Sequence, residues 1–309
     1  MTLLTVTLNA AIDKRYDVPD LRVGEVQRVA RVRASAGGKG LNVSRGALLC
    51  GQSIVATGFV AGFAGQFVTS QVTAAGMRDE FVRVVGETRT CINIIDSAGR
   101  STEFLEPGVT VTPEDISLLV RRFTELLPGV DAVTLSGSAP AGCPTDVYVP
   151  LIRAAVAAGK PVLLDTSGPL LAAGIAAGPT VVKPNQEELS AMIGRELHSR
   201  DEVVAAARTM CSQGPEWVVV SLGEWGAAAV SRHMAVQVAA PRVTALNTVG
   251  CGDVLVGGLA TGLASGLDAA EALPLAVRVS AAAAAHPETG VFDPEFAAGL
   301  QTHSTVIHI

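Results

Sequence analysis

The chain has 309 residues, of which 49% are apolar, 17% are charged and only 4% are aromatic. This length allows one large core, so we expect one domain with an appendage rather than two equal domains. The net charge of −6, without a run of Lys or Arg, argues against nucleic acid as a partner. The apolar stretches are too short to span a bilayer, no basic signal segment begins the chain, and the five cysteines are widely scattered. We therefore expect a cytoplasmic protein without a membrane partner or a cysteine-bound metal.

Short strand-like runs alternate with helix-length segments along the chain. The strand-like runs are apolar and rich in β-branched residues, and they cover 3–8, 53–59, 132–136, 162–165, 180–183 and 217–221. The helix-length segments between and beside them cover 40–50, 112–127, 144–158, 186–193 and 199–213. Apolar strands separated by helices are typical of a parallel sheet covered on both faces. The sequence therefore predicts an α/β fold with a mostly parallel central sheet.

Two segments break this alternation. Residues 16–33 form a polar, strand-like excursion, and 89–95 with 100–105 flank a glycine-containing turn that is typical of a β-hairpin. Together they could form a small separate sheet, either as a lid over a site or as an edge for dimerisation. The alternative is an ordinary surface hairpin.

Two candidate binding elements lie in the first part of the chain. Asp13 follows the first strand, at the edge where open α/β sheets bind ligands, and its carboxylate could accept two sugar hydroxyls or merely cap a turn. The glycine-rich segment 36–43 contains Gly38, Lys39 and Asn42, but it is neither a Walker A loop nor a dinucleotide fingerprint. Its amides, ammonium and amide side chain suit a phosphorylated, polyhydroxylated ligand. The alternative is a glycine-rich helix entry with a solvated lysine.

Two further elements follow later strands. Asn185 and Glu188 lie one helical turn apart, so their oxygens could hold Mg²⁺ through water. They could equally form a helix N-cap with its capping-box glutamate, and both interpretations can hold together. After Ser221, the glycines Gly223 and Gly226 could allow a loop to approach nucleotide phosphates, or they could form a plain hairpin turn.

The most informative segment is Asn247–Asp253, which we expect to connect a strand to a buried helix over 254–267. Glycines at such a junction expose backbone amides, and the first turn of a helix favours an anion. An acidic residue there is unexpected if the loop only binds phosphate, because the two negative charges would repel each other. It is explained if Asp253 takes a proton from a hydroxyl while the amides hold the charge that moves. The pattern indicates phosphoryl transfer. The alternative is a helix start with an acidic first turn.

These motifs, in this order, resemble those of the PfkB-type (ribokinase-like) carbohydrate kinases over nearly the whole chain. The motifs lie around Asp13 and at 37–43, 86–89, 136–138, 183–189, 221–223 and 250–253. The likeness is greatest to the hexose-phosphate branch, which contains 1-phosphofructokinase, tagatose-6-phosphate kinase and the minor 6-phosphofructokinase. The resemblance implies a three-layer αβα domain over 1–309, with a β-sheet lid at about 14–35 and 88–106 that often forms the dimer contact. It also implies ATP and Mg²⁺.

The resemblance assigns roles to residues by position. The general base is Asp253, and the anion hole comprises Gly250, Cys251 and Gly252. The sugar contacts are Asp13, Gly38, Lys39 and Asn42, with Arg28 and Arg89 on the sugar phosphate. The nucleotide contacts are Lys183, Asn185, Glu188, Ser221, Gly223 and Gly226, of which Asn185 and Glu188 organise Mg²⁺. Relatives usually have Ala or Ser where this chain has Cys251.

The function that we expect is ATP-dependent phosphorylation of a ketohexose phosphate to a bisphosphate. Lys39 and Arg89 favour a substrate that already carries a phosphate, and the preferred substrate is fructose 1-phosphate. Tagatose 6-phosphate and fructose 6-phosphate are the alternatives. A non-catalytic sugar-phosphate sensor should have lost the base or the nucleotide loops, and a nucleotide-binding oxidoreductase should have Gly-x-Gly-x-x-Gly, which is absent here.

Overall fold

The computed structural model describes residues 1–307, so the last two positions of the predicted 1–309 domain lie outside the described residues. The strands are β1 Thr2–Thr7, β2 Ala11–Val18, β3 Arg31–Gly37, β4 Ser53–Val60, β5 Arg78–Asp79, β6 Val82–Arg83, β7 Arg89–Asp96, β8 Ser101–Leu105, β9 Ala132–Ser136, β10 Val162–Asp165, β11 Val181–Val182, β12 Trp217–Ser221, β13 Ala227–Val230, β14 Ala235–Ala239 and β15 His303–Ile307. The helices are α1 Lys39–Leu49, α2 Gly62–Ala74, α3 Pro113–Leu126, α4 Tyr148–Ala157, α5 Gly168–Ile175, α6 Gln186–Ile193, α7 Arg200–Cys211, α8 Cys251–Ala264, α9 Ala269–Ala284 and α10 Pro294–Gly299. Short 3₁₀ turns cover Leu127–Gly129 and Gly223–Trp225. Among residues 1–307, no helix combines the length and the apolar character needed to cross a bilayer.

The large sheet has the strand order β15-β14-β13-β12-β11-β10-β9-β1-β4-β5, with β6 also paired to β4. Every pair from β12 to β5 is parallel, whereas β12, β13, β14 and β15 pair in antiparallel fashion. The prediction of a mostly parallel central sheet is confirmed. Its parallel strands all end at one edge, so the loops that follow them meet there.

Alternate side chains of the strands enter two separate apolar layers. Leu4 and Val6 of β1 pack with helices α3 to α7 on one face, while Leu3 packs with α1, α2, α8 and α9 on the other. The strands are therefore apolar on both faces, which explains why their sequences lack a polar alternation. The predicted three-layer αβα architecture is confirmed.

One predicted strand is absent. We expect a strand to lead into Asn247, but β14 ends at Ala239 and the segment 240–250 is irregular. The amides of Leu246 and Asn247 donate hydrogen bonds of 2.7 and 3.1 Å to the carbonyl of Ala284, at the end of α9. Because this segment docks on a helix instead of pairing with the sheet, α8 is entered from a loop.

The small sheet has the order β3-β2-β7-β8. Its outer pairs are antiparallel, while β2 and β7 pair in parallel, from Ala11 opposite Arg89 to Val18 opposite Asp96. A separate smaller sheet is thus confirmed, and the ordinary hairpin interpretation is wrong. The sheet begins at Ala11, before the expected boundary, and the middle of the predicted 16–33 excursion, 19–30, is irregular. That this sheet acts as a lid stays a prediction.

Candidate active site

The site lies where β1 and the starts of α1 and α8 meet. The N-cap of α1 is Gly38, whose φ of +100° is in a region that side chains rarely adopt. A Cβ on Gly40 would lie 2.2 Å from Oγ1 of Thr7, at the end of β1. Glycine is therefore required at both positions to bring the first turn of α1 against the sheet. The side chains of Lys39 and Asn42 are presented at the edge of the strands by this close approach.

Asp253 is the third residue of α8 and is only 7% exposed. Its Oδ2 accepts a hydrogen bond of 2.7 Å from Nδ2 of Asn42. Burial, followed by the nearby Asp165 carboxylate, raises the pKa of Asp253 to about 6, against the opposing effects of Lys39, Asn42 and Lys183. A carboxyl group with such a pKa is ionised at neutral pH and remains basic enough to take a proton.

A second buried carboxylate, that of Asp165, lies near the first. Oδ1 of Asp165 is 3.2 Å from Nζ of Lys183 and 3.9 Å from Nζ of Lys39. The side chains of Asp165 and Lys183 are 1% and 5% exposed, so this ion pair is shielded from water. Neither oxygen of Asp165 has a partner with good hydrogen-bond angles among residues 1–307, so the attraction is mainly between charges. The Asp165 carboxylate is also the main cause that raises the pKa of Lys39.

Asn42 has a second partner on its own helix. Its Oδ1 accepts a short hydrogen bond from Nη2 of Arg45, one turn later in α1. Nη1 of Arg45 donates to the carbonyl of Ala36 at 2.6 Å, near the end of β3. Arg45, Asn42 and Asp253 thus form a continuous chain of hydrogen bonds from the small sheet to the first turn of α8.

A cavity of about 590 Å³ opens between the small sheet and the ends of the central strands. The predicted site residues that line it are Asp13, Gly38, Lys39, Asn42, Arg89, Gly250 and Asp253. Asp13 is half-buried, and its partial removal from water raises its pKa, while Arg45, the amide of Gly38 and Arg89 act in the opposite direction. The structure therefore brings the predicted base, the predicted sugar-binding carboxylate and lysine, and one of the two predicted arginines to a single cavity.

The two predicted phosphate contacts differ in placement. Arg89 lines the cavity, and its guanidinium also donates to the carbonyls of Asn9, at 3.0 and 3.2 Å, and of Glu106, at 3.1 Å. It therefore holds the start of β7 against the loop after β1. Arg28 is exposed in the irregular segment 19–30 and is not among the residues that line the cavity. The structure does not bring Arg28 to the other site residues.

The predicted nucleotide residues lie at the ends of β11 and β12. Asn185 is the N-cap of α6: its Oδ1 accepts from the amide of Glu188 at 2.7 Å, and Oε2 of Glu188 accepts from the amide of Asn185 at 2.9 Å. The capping-box interpretation is confirmed. Ser221 forms a parallel bridge with Asn185, so the two loops are adjacent. Gly226 has a φ of +90°, and a Cβ there would lie 2.0 Å from the carbonyl oxygen of Val238.

Comparison with known proteins identifies the family. The model of the pfkB family carbohydrate kinases matches residues 1–295. The chain belongs to this family. Phosphofructokinase-2 of Escherichia coli is 29% identical with a TM-score of 0.88, over 96% of each chain. A possible 1-phosphofructokinase of Thermotoga maritima is 27% identical with a TM-score of 0.88, over 100% of each chain.

The ribokinase of Arabidopsis thaliana, at 20% identity and a TM-score of 0.77, over 96% of this chain and 97% of the ribokinase, shows the same fold. The resemblance inferred from the motifs is confirmed, and this PfkB protein is an ATP-dependent sugar kinase. The roles of its individual residues stay predictions.

In this PfkB kinase the backbone amides in the first turn of α8 are not equally free to bind an anion. Gly250 is the N-cap, with φ +81°, and a Cβ there would lie 2.7 Å from Cγ2 of Thr289. The amide of Cys251 donates to the carbonyl of Thr248 at 3.3 Å, whereas the amide of Gly252 has no acceptor among the described residues. Burial, with a smaller effect of Asp253, raises the pKa of the Cys251 thiol to about 11, so the thiol is protonated at neutral pH.

Sequence reasoning missed two residues of this kinase site. Asp165 is a charged residue at the carboxyl end of an otherwise apolar strand, and that contrast was the available signal. Arg45 lies three residues after Asn42 in α1, a spacing that places two side chains on one side of a helix. Neither residue is part of the glycine motifs, which is why the motifs did not reveal them.

Proposed function

We propose that this PfkB kinase transfers the γ-phosphoryl group of ATP to a ketohexose phosphate and forms a bisphosphate, with Asp253 as the general base. One observation carries the proposal: a buried carboxylate in the first turn of a helix shares a cavity with a lysine, an arginine and a second, half-buried carboxylate. Such a set can receive a hydroxyl proton and bind a charged sugar at once.

The chemistry requires little more than this set. One oxygen of Asp253 is hydrogen-bonded to Asn42, which leaves Oδ1 to accept the proton of the acceptor hydroxyl. The hydroxyl oxygen bonds to the γ-phosphorus as the bond to the ADP oxygen breaks. The amides of Gly250, Cys251 and Gly252, at the positive end of α8, would stabilise the charge on the transferring group. The Cys251 amide must exchange its long bond to Thr248 for this purpose.

The nucleotide would lie along Ser221, Gly223 and Gly226, with Lys183 near its phosphates. For Mg²⁺, residues 1–307 provide no group of three or more acidic, His or Cys side chains placed so that they could hold a metal ion. This fits an ion that keeps water and phosphate ligands and needs one or two protein oxygens, which Asn185 and Glu188 can supply beside their capping bonds. When bound, Mg²⁺ would neutralise phosphate charge.

For the acceptor we propose fructose 1-phosphate, with Asp13, Gly38, Lys39 and Asn42 around the sugar. Lys39 and Arg89 both line the cavity, which supports an acceptor that already carries a phosphate. The similarity to a possible 1-phosphofructokinase supports the same choice. Phosphofructokinase-2 of Escherichia coli, which has been crystallised with fructose 6-phosphate, is equally similar, so fructose 6-phosphate and tagatose 6-phosphate are the alternatives.

The proposal extends to assembly and location. We propose that the lid formed by about 14–35 and 88–106 mediates a homodimer in the cytoplasm. Its strands expose Val32, Phe104 and Leu105, at 57%, 57% and 66%, which is apolar surface that a partner copy could cover. In a dimer, Arg28 of the exposed 19–30 segment would be near this interface and could reach a sugar phosphate there.

The function is tested by ADP release with Mg-ATP and four acceptors: fructose 1-phosphate, fructose 6-phosphate, tagatose 6-phosphate and free fructose. We expect the highest kcat/KM with fructose 1-phosphate and the lowest with free fructose. A preference for another phosphosugar would overturn the substrate but keep the reaction. ATP binding without turnover on any acceptor would instead favour the sugar-phosphate sensor.

The pH dependence of turnover follows from the raised pKa of Asp253. A general base acts in its ionised form, so kcat should be maximal above about pH 6, the pKa of this group, and should fall by about tenfold per pH unit below it. The measurement is kcat at saturating acceptor from about pH 8 to about pH 5. Saturation separates this limb from the titration of Asp13, which would alter KM for the sugar. A kcat that is independent of pH over this range would contradict the assignment.

A further inference from the structure

We propose that Arg45 is a positioning residue for catalysis, which acts through Asn42 to determine which oxygen of Asp253 is free for the acceptor hydroxyl. This inference rests on the proposed kinase function and deepens it. The observation behind it is the chain of two hydrogen bonds that joins the three side chains inside the fold.

The chemistry of the partners allows only one orientation of the Asn42 amide. An ionised carboxylate only accepts hydrogen bonds, and a guanidinium only donates them. Asn42 lies between the two, so its NH₂ group must face Asp253 and its oxygen must face Arg45. Arg45 and Asp253 favour this orientation from opposite sides, so removal of Arg45 would leave the amide oriented by the carboxylate alone and held less firmly.

The surroundings keep both side chains in place. Asn42 and Arg45 are on one side of α1, and the backbone of Gly290 approaches so closely that a Cβ there would lie 3.2 Å from Cβ of Asn42. Nη1 of Arg45 is fixed by the carbonyl of Ala36 at 2.6 Å. The amide of Asn42 is therefore held between a packed backbone and an anchored guanidinium.

Arg45 interacts electrostatically with two of the carboxylates that line the cavity, Asp13 and Asp253. Burial lowers the pKa of Arg45, while Asp13, Asp253 and Glu288 act in the opposite direction. The same guanidinium therefore faces the predicted sugar-binding carboxylate and the predicted base. Of Asn42 and Asp253, Arg45 is hydrogen-bonded only to Asn42. Its effect on turnover should therefore pass mainly through the Asn42 amide.

The consequence concerns the geometry of proton transfer. With Oδ2 of Asp253 engaged by Asn42, Oδ1 is the oxygen that can accept the substrate proton. If the Asn42 amide no longer donated to Oδ2, the Asp253 carboxylate would be free to rotate. Its pKa would then rise, because a hydrogen bond to the charged form would be lost. The other charged groups that face Asp253 are Asp165, Lys39 and Lys183, and a substitution of Arg45 leaves them in place.

The test uses a double-mutant cycle with Arg45→Met, Asn42→Ala and the pair, in the full-length enzyme. Methionine keeps the apolar stem of Arg45 without its donors. We expect R45M to lower kcat by about 10- to 100-fold, the usual effect of losing one hydrogen bond to a charged group, with little change in KM for ATP. In the N42A background, the same substitution should cost much less. Equal losses of kcat in both backgrounds would overturn the relay through Asn42.

A readout without turnover separates this inference from the proposed function. The ¹³C carboxyl resonance of Asp253 can be followed against pH in the four proteins, whichever acceptor the enzyme uses. We expect R45M to raise the pKa of Asp253, and to raise it less when Asn42 is absent. The same rise in both backgrounds would mean that Arg45 acts only as a nearby charge. If the parent enzyme turned over no acceptor while this coupling was present, the proposed function would fail and the positioning role would stand.

Two further variants cover the case in which R45M does not fold. Arg45→Lys keeps the charge and one donor, and it should restore part of the kcat and move the pKa of Asp253 back toward that of the parent. Arg45→Ala leaves a space shaped for a guanidinium, so added methylguanidinium should raise its kcat. Folded R45K with the same kcat and pKa as R45A, and no response to methylguanidinium, would overturn the proposal.

Discussion

Replacing Asp253 by asparagine should lower kcat by about 10²- to 10⁴-fold, the range that a general base contributes. Asparagine has nearly the same volume as aspartate, and its amide can remain beside Asn42 and the first turn of α8. It cannot take a proton from a hydroxyl, however. Binding of ATP and of the phosphosugar should persist, since the amides and the cations of the cavity remain.

The measurement combines steady-state kinetics with calorimetric titration of a non-hydrolysable ATP analogue and of the sugar phosphate. Asp201→Asn is a matched control, because Asp201 is also an aspartate in the first turn of a helix, α7, but is exposed to solvent. Its kcat should equal that of the parent. Near-normal turnover of D253N would remove Asp253 as the base, and loss of ligand binding together with kcat would indicate a structural role instead.

How much of this site could be predicted from the sequence depends on the range of the interactions. The glycine segment before α1 and the turn before α8 are local patterns, and their residues Lys39, Asn42 and Asp253 do line one cavity. Helix starts after glycines are defined by a few neighbouring residues, so their chemistry can be inferred from spacing alone. The same holds for the capping box of Asn185 and Glu188, which is complete within four residues.

The parts that were missed or wrong depend on distant partners. Asp165 matters because β9, β10 and β11 lie side by side, which brings it to Lys183 and Lys39, and no local pattern encodes that register. The parallel pairing of β2 with β7 joins segments about 80 residues apart, so a shared small sheet was expected, but its register and its start at Ala11 were not. A strand was expected before Asn247, because the contact of this segment with the end of α9 cannot be inferred from composition.

The largest effect on stability is expected for Asp165→Ala, which should lower the free energy of unfolding by about 3–5 kcal/mol. The substitution leaves Lys183, whose side chain is 5% exposed, without its carboxylate partner at 3.2 Å. A buried ion pair gains little by itself, but removing one partner strands the other charge in an apolar interior. The measurement is equilibrium unfolding by urea. The slope of the unfolding free energy against urea concentration (the m-value) is compared between variant and parent to verify two-state behaviour.

Two further variants separate the effect of the unpaired Lys183 charge on stability from the effect of the contacts that Asp165 loses. In the Asp165→Leu, Lys183→Met double variant no charge of this pair remains, so most of the stability should return even though turnover should not. Asp201→Ala removes one partner of an exposed pair with Arg200, at 3.8 Å, and should change the free energy of unfolding by less than about 1 kcal/mol. If D165A were as stable as D201A, Lys183 would be able to reach water or another acceptor, and its buried pair with Asp165 would not be needed for the stability of the fold.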